Sequence, residues 1–267
     1  MTRLFLAGLS IVGIVSLTGL SGCQVSPNQQ ANAASIAVSP PPQPAGSGGQ
    51  AEKQQDAPGP ILVIGDSILK WNAEEKASIP EVVGQTLGRP VINNAVSGAH
   101  FSHPDEDAAA AGYDIRQQYN NQQWDWVVMN GGANDINGIC DRNDYSTFVD
   151  AMISEDGLSG EIPDFVRRVA ETGSSVMYVG YYTIPEDALF GFAQCSDELE
   201  IHNDRLARMA EALEGVWFVS AGDVVSASDV EAYDEDRVHP SAVGSKRVGE
   251  YVADTIEEIE ERVSSSL

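Results

Sequence analysis

The chain has 267 residues, 42% of them hydrophobic, and a formal net charge of −25 from 40 acidic and 15 basic residues. An acid excess of that size repels phosphate backbones and anionic lipid headgroups, which argues against a face built for nucleic acid or for headgroups. It reads as a solvated acidic coat, because the carboxylates gathered in 141–150 lack the glycine and the terminal glutamate of a calcium loop.

In chain order, residues 1–22 come first and are not fold. A basic Arg3, an apolar run from Leu4 to Leu17 and small residues before Cys23 make a secretory signal in outline. Leu20-Ser21-Gly22-Cys23 resembles the bacterial lipoprotein box, whose cysteine is lipidated and becomes the mature N-terminus. The competing reading is a transmembrane anchor, but the run holds several Gly and Ser and is short for a span. The expectation is a protein held on a bacterial cell envelope by acyl chains at Cys23, each buried CH₂ contributing about 0.8 kcal/mol. From Gln24 to Pro60, Pro, Gln, Ala, Ser and Gly dominate without apolar period, so 23–60 reads as a flexible tether. That leaves 61–267 as one domain, long enough for a well-buried core.

Within it, Ile61 to Ile64 is an apolar run that meets Gly65-Asp66-Ser67, as a buried parallel strand does where it opens onto a turn. A helix follows at 79–87, then a short strand in "RPVINNAV", a helical region over 108–120, and a third strand in "WDWVVMNGGAND". Phe165, Val166 and Val169 share one face of a helix over 162–172, and "SSVMYVGYY" supplies strand four. A helix over 197–213 turns Leu199, Leu206, Met209 and Leu213 inward, and "GVWFVSAGDVV" is strand five. The last helix runs from Pro240 to Val263 with Val248, Val252, Ile256, Ile259 and Val263 in one stripe. Strands alternating with helices predict a parallel sheet covered on both faces, a three-layer α/β sandwich.

Four segments stand after strands or before a helix, and each carries a chemically useful residue. They are Gly65-Asp66-Ser67, Gly98 in "NNAVSGAH", Asn134 in "GGAND", and Asp236 with His239 in "DEDRVHPSAVG". Singly each has a bland reading: a helix cap at Ser67, a backbone turn at Gly98, a cap pair at Asn134-Asp135, a loop into a helix at Pro240. Jointly they supply what ester chemistry needs. A serine hydroxyl is a poor nucleophile until a base takes its proton, histidine suits that role near neutral pH, and the imidazole needs an acidic partner. Asp236 lies three residues before His239, close enough to reach its far ring nitrogen. The N–H groups of Ser67 and Gly98 and the amide of Asn134 can converge on a developing oxyanion.

The four segments resemble the sequence blocks of the SGNH (GDSL) hydrolase superfamily, in order, from Ile61 to about Val263. The resemblance implies a flavodoxin-like five-stranded parallel sheet in order 2-1-3-4-5 and no cofactor. By the same resemblance Ser67 is the nucleophile, His239 the base, Asp236 its partner, and Ser67, Gly98 and Asn134 the oxyanion hole. The G-x-S-x-G elbow of the α/β-hydrolases is absent after residue 23. One departure is "ILKWN" after Ser67, which puts Lys70 and Trp71 either at the pocket mouth or on a surface helical turn.

Other residues are read more plainly. Cys140 and Cys195, in an oxidising compartment, are expected to form a disulfide that stiffens the pocket wall, although spacing alone does not settle it. Two cysteines without clustered histidines argue against zinc. His100 and His103 are expected to be polar loop residues, His202 a surface residue, and Tyr181 and Tyr182 core aromatics. The function expected is a membrane-tethered serine esterase of a small or carbohydrate-linked acyl ester, acting as a monomer. The alternatives are an acyltransferase to an envelope hydroxyl, or an envelope-binding lipoprotein that uses the fold without catalysis.

Overall fold

The computed structural model of the protein describes residues 58–140 and 145–266. The expected signal segment 1–22, the lipidation candidate Cys23 and nearly all of the tether lie outside the described residues. Among the described residues no helix is long and apolar enough to cross a membrane.

Five short strands, β1 (Ile61–Ile64), β2 (Val91–Asn93), β3 (Trp126–Met129), β4 (Ser175–Gly180) and β5 (Val216–Ser220), form one parallel sheet in the order β2-β1-β3-β4-β5. Every residue of β1 and β3 is buried, as the continuous apolar runs require of central strands covered on both faces. The edge strands β2 and β5 are only partly buried.

Among the described residues eight α-helices surround the sheet: α1 (Ser67–Lys70), α2 (Ile79–Leu87), α3 (Glu106–Ala108), α4 (Ala133–Asn137), α5 (Tyr145–Met152), α6 (Glu161–Ala170), α7 (Ser196–Ala212) and α8 (Ala242–Ser265). From β1 to β2 the chain steps one way across the sheet, and from β3 to β4 to β5 it steps the other. Right-handed crossovers therefore put α2 on one face and α6 and α7 on the opposite one. Helix α8 packs along α2, with Val248, Val252, Ile256 and Ile259 inward and almost fully buried. The reversal of direction at β1 opens a crevice at the carboxyl ends of the strands, where open α/β sheets bind ligands.

Four expectations are corrected. The region 108–120 is not one helix. It is the turn α3, a wide turn over 109–113, and a 3-10 turn over 115–118, split where Gly112 takes φ +94° and Asp114 caps Arg116 N–H. Helix α8 begins at Ala242 and not at Pro240, because Ser241 is its N-cap and its hydroxyl accepts from Val243 and Gly244 N–H. Val263 leaves the buried stripe and is exposed, since the last turns of α8 run past the sheet. His202 is fully buried and not on the surface. Helix α5 was not foreseen at all.

Candidate active site

At the end of β1 the chain turns through Gly65 into Asp66, whose carboxylate Oδ1 accepts the Ile68 N–H at 2.9 Å and so caps α1. The serine is thereby released from the capping role that a bland reading gives it. Its hydroxyl instead stands 2.9 Å from Nε2 of His239.

His239 sits on a tight loop between β5 and α8. Asp236 Oδ1 accepts the N–H groups of both Val238 and His239, which folds the loop back on itself. Its other oxygen, Oδ2, lies 2.6 Å from His239 Nδ1. Burial pushes the Asp236 carboxyl up, but the bonds from the His239 ring and from the backbone outweigh it and hold the group below the usual carboxylate range. The result is an unbroken chain of side chains, Asp236, His239, Ser67, with the acid ionised at neutral pH.

Asn134 opens α4 after β3, and one amide hydrogen of its side chain goes to Ala99 O at 2.8 Å. Among the described residues the second has no protein acceptor. Gly98, with φ +78°, lies in the turn after β2, a left-handed conformation in which a side chain would be strained. That turn is tied to the serine turn by Val96 N–H on Gly65 O, 3.1 Å. Among the described residues neither Ser67 N–H nor Gly98 N–H has a protein acceptor. The glycine before the Asn134 block is fixed by a close approach: a Cβ at Gly132, with φ +107°, would lie 2.6 Å from Nε2 of His202.

Beneath the serine turn lies a polar layer that sequence reasoning missed. Asp66, almost fully buried, accepts from Asn130 Nδ2 at 2.7 Å and from the Tyr181 hydroxyl at 2.6 Å as well as from Ile68. Burial raises its pKa against the pull of these donors. Tyr181, the residue after β4, also receives Ala133 N–H on its hydroxyl oxygen at 3.2 Å. Asp135 is pushed up to about 7 by burial, despite accepting Phe101 N–H. His202 is pushed down to about 4 by burial, and its Nε2 meets Gly131 O at 3.0 Å. The one signal for this layer was Asn130, a polar residue closing an otherwise apolar strand.

Trp71 resolves the question left by "ILKWN". Its ring lies flat on the His239 imidazole, with centroids 3.8 Å apart and planes 7° apart. Lys70 is exposed beside it. His100 and His103 are half-buried loop residues that meet edge to face, 5.7 Å between centroids.

Beside Ser67 is a cavity of about 10 Å³ walled by Ile184, Phe192, Leu199 and Val238 together with Asn134 and Tyr181. That is room on the order of one water molecule or one methyl group. Cys140 and Cys195 are joined by a disulfide, Cα–Cα 5.5 Å, which ties the segment after α4 to the turn that carries Phe192. Outside the indole a wider groove of about 360 Å³ is lined by Lys70, Trp71, Glu74, Glu75, Ser97 and Asp234.

Residues 63–247 match the GDSL-like lipase/acylhydrolase family. Among curated proteins none matches the sequence. Among solved structures, a carbohydrate acetylesterase from Sinorhizobium meliloti superposes with TM-score 0.53 at 18% identity, covering 75% of this chain and 99% of that one. The inhibitor-bound M. smegmatis aryl esterase does so with TM-score 0.51 at 18% identity over 75% and 99%. A carbohydrate esterase family 2 enzyme with a carbohydrate binding domain from Corynascus thermopiles gives 0.52 at 18% over 75% and 67%. At such identities the likeness shows the fold, an α/β sheet of the same kind.

Proposed function

We propose, from the premise that this chain belongs to the GDSL-like lipase/acylhydrolase family and is a serine ester hydrolase, that it removes short acyl groups, acetyl foremost, from hydroxylated substrates through Ser67, His239 and Asp236. The observation that carries the assignment of residues is the hydrogen-bonded line from Asp236 Oδ2 through both nitrogens of His239 to Ser67 Oγ, 2.6 and 2.9 Å.

The chemistry follows from that line. Ser67 Oγ adds to the ester carbonyl carbon while its proton passes to His239 Nε2. The negative charge moves to the carbonyl oxygen, where the free N–H groups of Ser67 and Gly98 and the remaining amide hydrogen of Asn134 stabilise it. His239 then gives its proton to the leaving alkoxy oxygen, the C–O bond breaks, and the alcohol departs. Water attacks the acyl-serine with His239 again as base, and the acid leaves with Ser67 reprotonated. Asp236 stays ionised throughout, holding the imidazole in the tautomer that leaves Nε2 free to accept and supporting its positive charge.

The small cavity beside Ser67 supports a short acyl group. The polar groove beyond Trp71 supports an alcohol rich in hydroxyls, such as a sugar. The name of the S. meliloti neighbour, a carbohydrate acetylesterase, points the same way. The leader that ends at Cys23 supports placing the domain outside a bacterial membrane on a lipid anchor. Loss of fatty-acid incorporation in a Cys23→Ala chain tests that part.

The experiment for the chemistry is turnover of p-nitrophenyl esters of increasing chain length, beside the Ser67→Ala variant. Turnover of the acetate that vanishes in the variant, falling steeply with chain length, is the expected result. A folded protein that turns over none of them would move the reading to acyl transfer or to binding without catalysis.

A further inference from the structure

Two hydrogen bonds orient His239, one at each ring nitrogen, and the lone pair and the N–H of an imidazole both point in the ring plane. In-plane bonds of this kind resist sliding of the imidazole but resist poorly its rocking about the line that joins the two partners. A flat surface against the ring face is what removes that freedom, and Trp71 supplies one at 3.8 Å with only 7° between the planes.

Trp71 is itself held in a way that couples it to the base. Its backbone N–H donates to Ser67 O at 2.8 Å, so the indole grows from the same turn as the serine. Its ring N–H donates to Asp234 Oδ2 at 2.7 Å. Asp234 belongs to the loop of the base, and its own N–H donates to His239 O at 2.8 Å. The next residue, Asn72, donates from its side-chain amide to Pro240 O at 2.9 Å and to Ser245 Oγ at 3.0 Å. Asn72 holds a left-handed backbone, φ +62°, to do so. Three consecutive ties, Ser67 to His239, Trp71 to Asp234 and Asn72 to Pro240, thus join the β1–α1 turn to the loop before α8. The first of them is the reacting pair. The other two make that pair's separation a property of the scaffold.

We propose that Trp71, anchored by Asp234, is a positioning residue that fixes the plane of the His239 imidazole and with it the Nε2–Oγ line to Ser67. This rests on the reading of His239 as the general base. Trp71 makes no bond to Ser67 Oγ and does not line the cavity that takes the acyl group; it borders the groove proposed for the alcohol, so on a p-nitrophenyl ester, which carries no sugar, what it does is done through the histidine. Its contribution belongs in kcat, because a misaligned base slows proton transfer without weakening ester binding.

The test has a kinetic arm and an arm that needs no substrate. In the kinetic arm, Trp71→Leu removes the aromatic face and Trp71→Phe keeps a face without the N–H anchor. On p-nitrophenyl acetate the leucine variant is expected to lose on the order of 10- to 100-fold in kcat with KM nearly unchanged. The phenylalanine variant is expected to recover much of that loss. A loss carried by KM, or equal losses in the two variants, overturns the proposal.

In the second arm, tryptophan fluorescence is followed against pH in the full chain. A protonated imidazole quenches a stacked indole more strongly than a neutral one. The groups facing the stacked pair are Asp236 and Asp234 on the histidine's own loop, the latter on the indole N–H, and Ser67 and the buried Asp66 on the turn opposite. Emission is expected to fall on acidification, and that component is expected to be absent from both Trp71→Phe and His239→Gln. Trp124, Trp126 and Trp217 remain as a common background. A pH-dependent component that survives either substitution, or none in the parent chain, overturns the stack as a device acting on the base. Because this arm reads the stack with no ester present, it stands even where the esterase reading fails.

Discussion

The hydroxyl of Tyr181 donates to the buried Asp66 carboxylate across 2.6 Å, joining the residue that follows β4 to the turn that follows β1. Asp66 also caps α1, so the tyrosine steadies the cap that presents Ser67. The same hydroxyl oxygen accepts Ala133 N–H, one residue before Asn134. One phenol therefore braces both the serine turn and the Asn134 block. A Tyr181→Phe variant leaves a buried carboxylate oxygen and a buried N–H each without a partner. Such a loss costs about 1–3 kcal/mol, read as a lower urea midpoint, and kcat is expected to fall with it.

Asn134 is the only side-chain donor among the three oxyanion candidates. One of its amide hydrogens is fixed on Ala99 O, which orients the other. Asn134→Ala is expected to lower kcat by about 10²- to 10³-fold while KM changes little. Steady-state kinetics on p-nitrophenyl acetate separates the two parameters.

The disulfide closes a loop spanning 55 residues and ends beside the aromatic wall of the small cavity. Replacing both Cys140 and Cys195 by Ser is expected to cost about 2–4 kcal/mol in stability. Release of the turn that carries Phe192 is also expected to widen the acyl side. The ratio of butyrate to acetate turnover would then rise in the double variant and in reduced enzyme. Unchanged melting temperature and unchanged chain-length preference would show that the bond does not shape the pocket.

The five alternating strands and the reach of Asp236 to His239 were legible from local pattern, whereas the strand order 2-1-3-4-5 was implied by the resemblance of the four blocks to those of the SGNH hydrolases. Apolar runs mark the central strands, and the two residues between Asp236 and His239 leave the loop little choice. The broken region 108–120 was not legible, because its alanines favour a helix while Gly112 and the Asp114 cap, working with the fold around them, end it. Helix α5 was hidden by its acidic N-terminal flank, which drew attention as a cluster of carboxylates. His202 escaped notice for another reason. Its burial is decided by Gly132, seventy residues away in sequence, whose missing side chain makes room for the ring. Trp71 and Asp234 lie on opposite ends of the domain sequence, and no spacing rule connects them. Long-range polar partners of this kind are set by topology, which periodicity predicts only coarsely.

His202 and Asp135 titrate in opposition, and that gives a prediction about acid. His202 has a folded pKa of about 4 against 6.5 for the free side chain, with burial as the cause. Between those values the unfolded chain holds the proton first, so this group's contribution to stability declines as pH falls from about 6.5 to about 4. Asp135 has a folded pKa of about 7 against 3.8, again from burial. Here the folded chain holds the proton first, so stability gains as pH falls through the same window. Each slope is at most about 1.4 kcal/mol per pH unit, and the two largely offset one another. Asp135→Asn removes the second group and leaves the first, so its stability is expected to fall more steeply than the parent's from pH 6.5 to 4. His202→Gln, which keeps an N–H for Gly131 O, is expected to do the reverse and lose less than the parent on acidification. Urea midpoints of the three chains at pH 7, 6, 5 and 4 decide it. Every other titrating group, Asp66 and Asp236 included, is common to all three, so the differences between curves isolate the pair. Parallel curves would mean that neither side chain changes its protonation on unfolding.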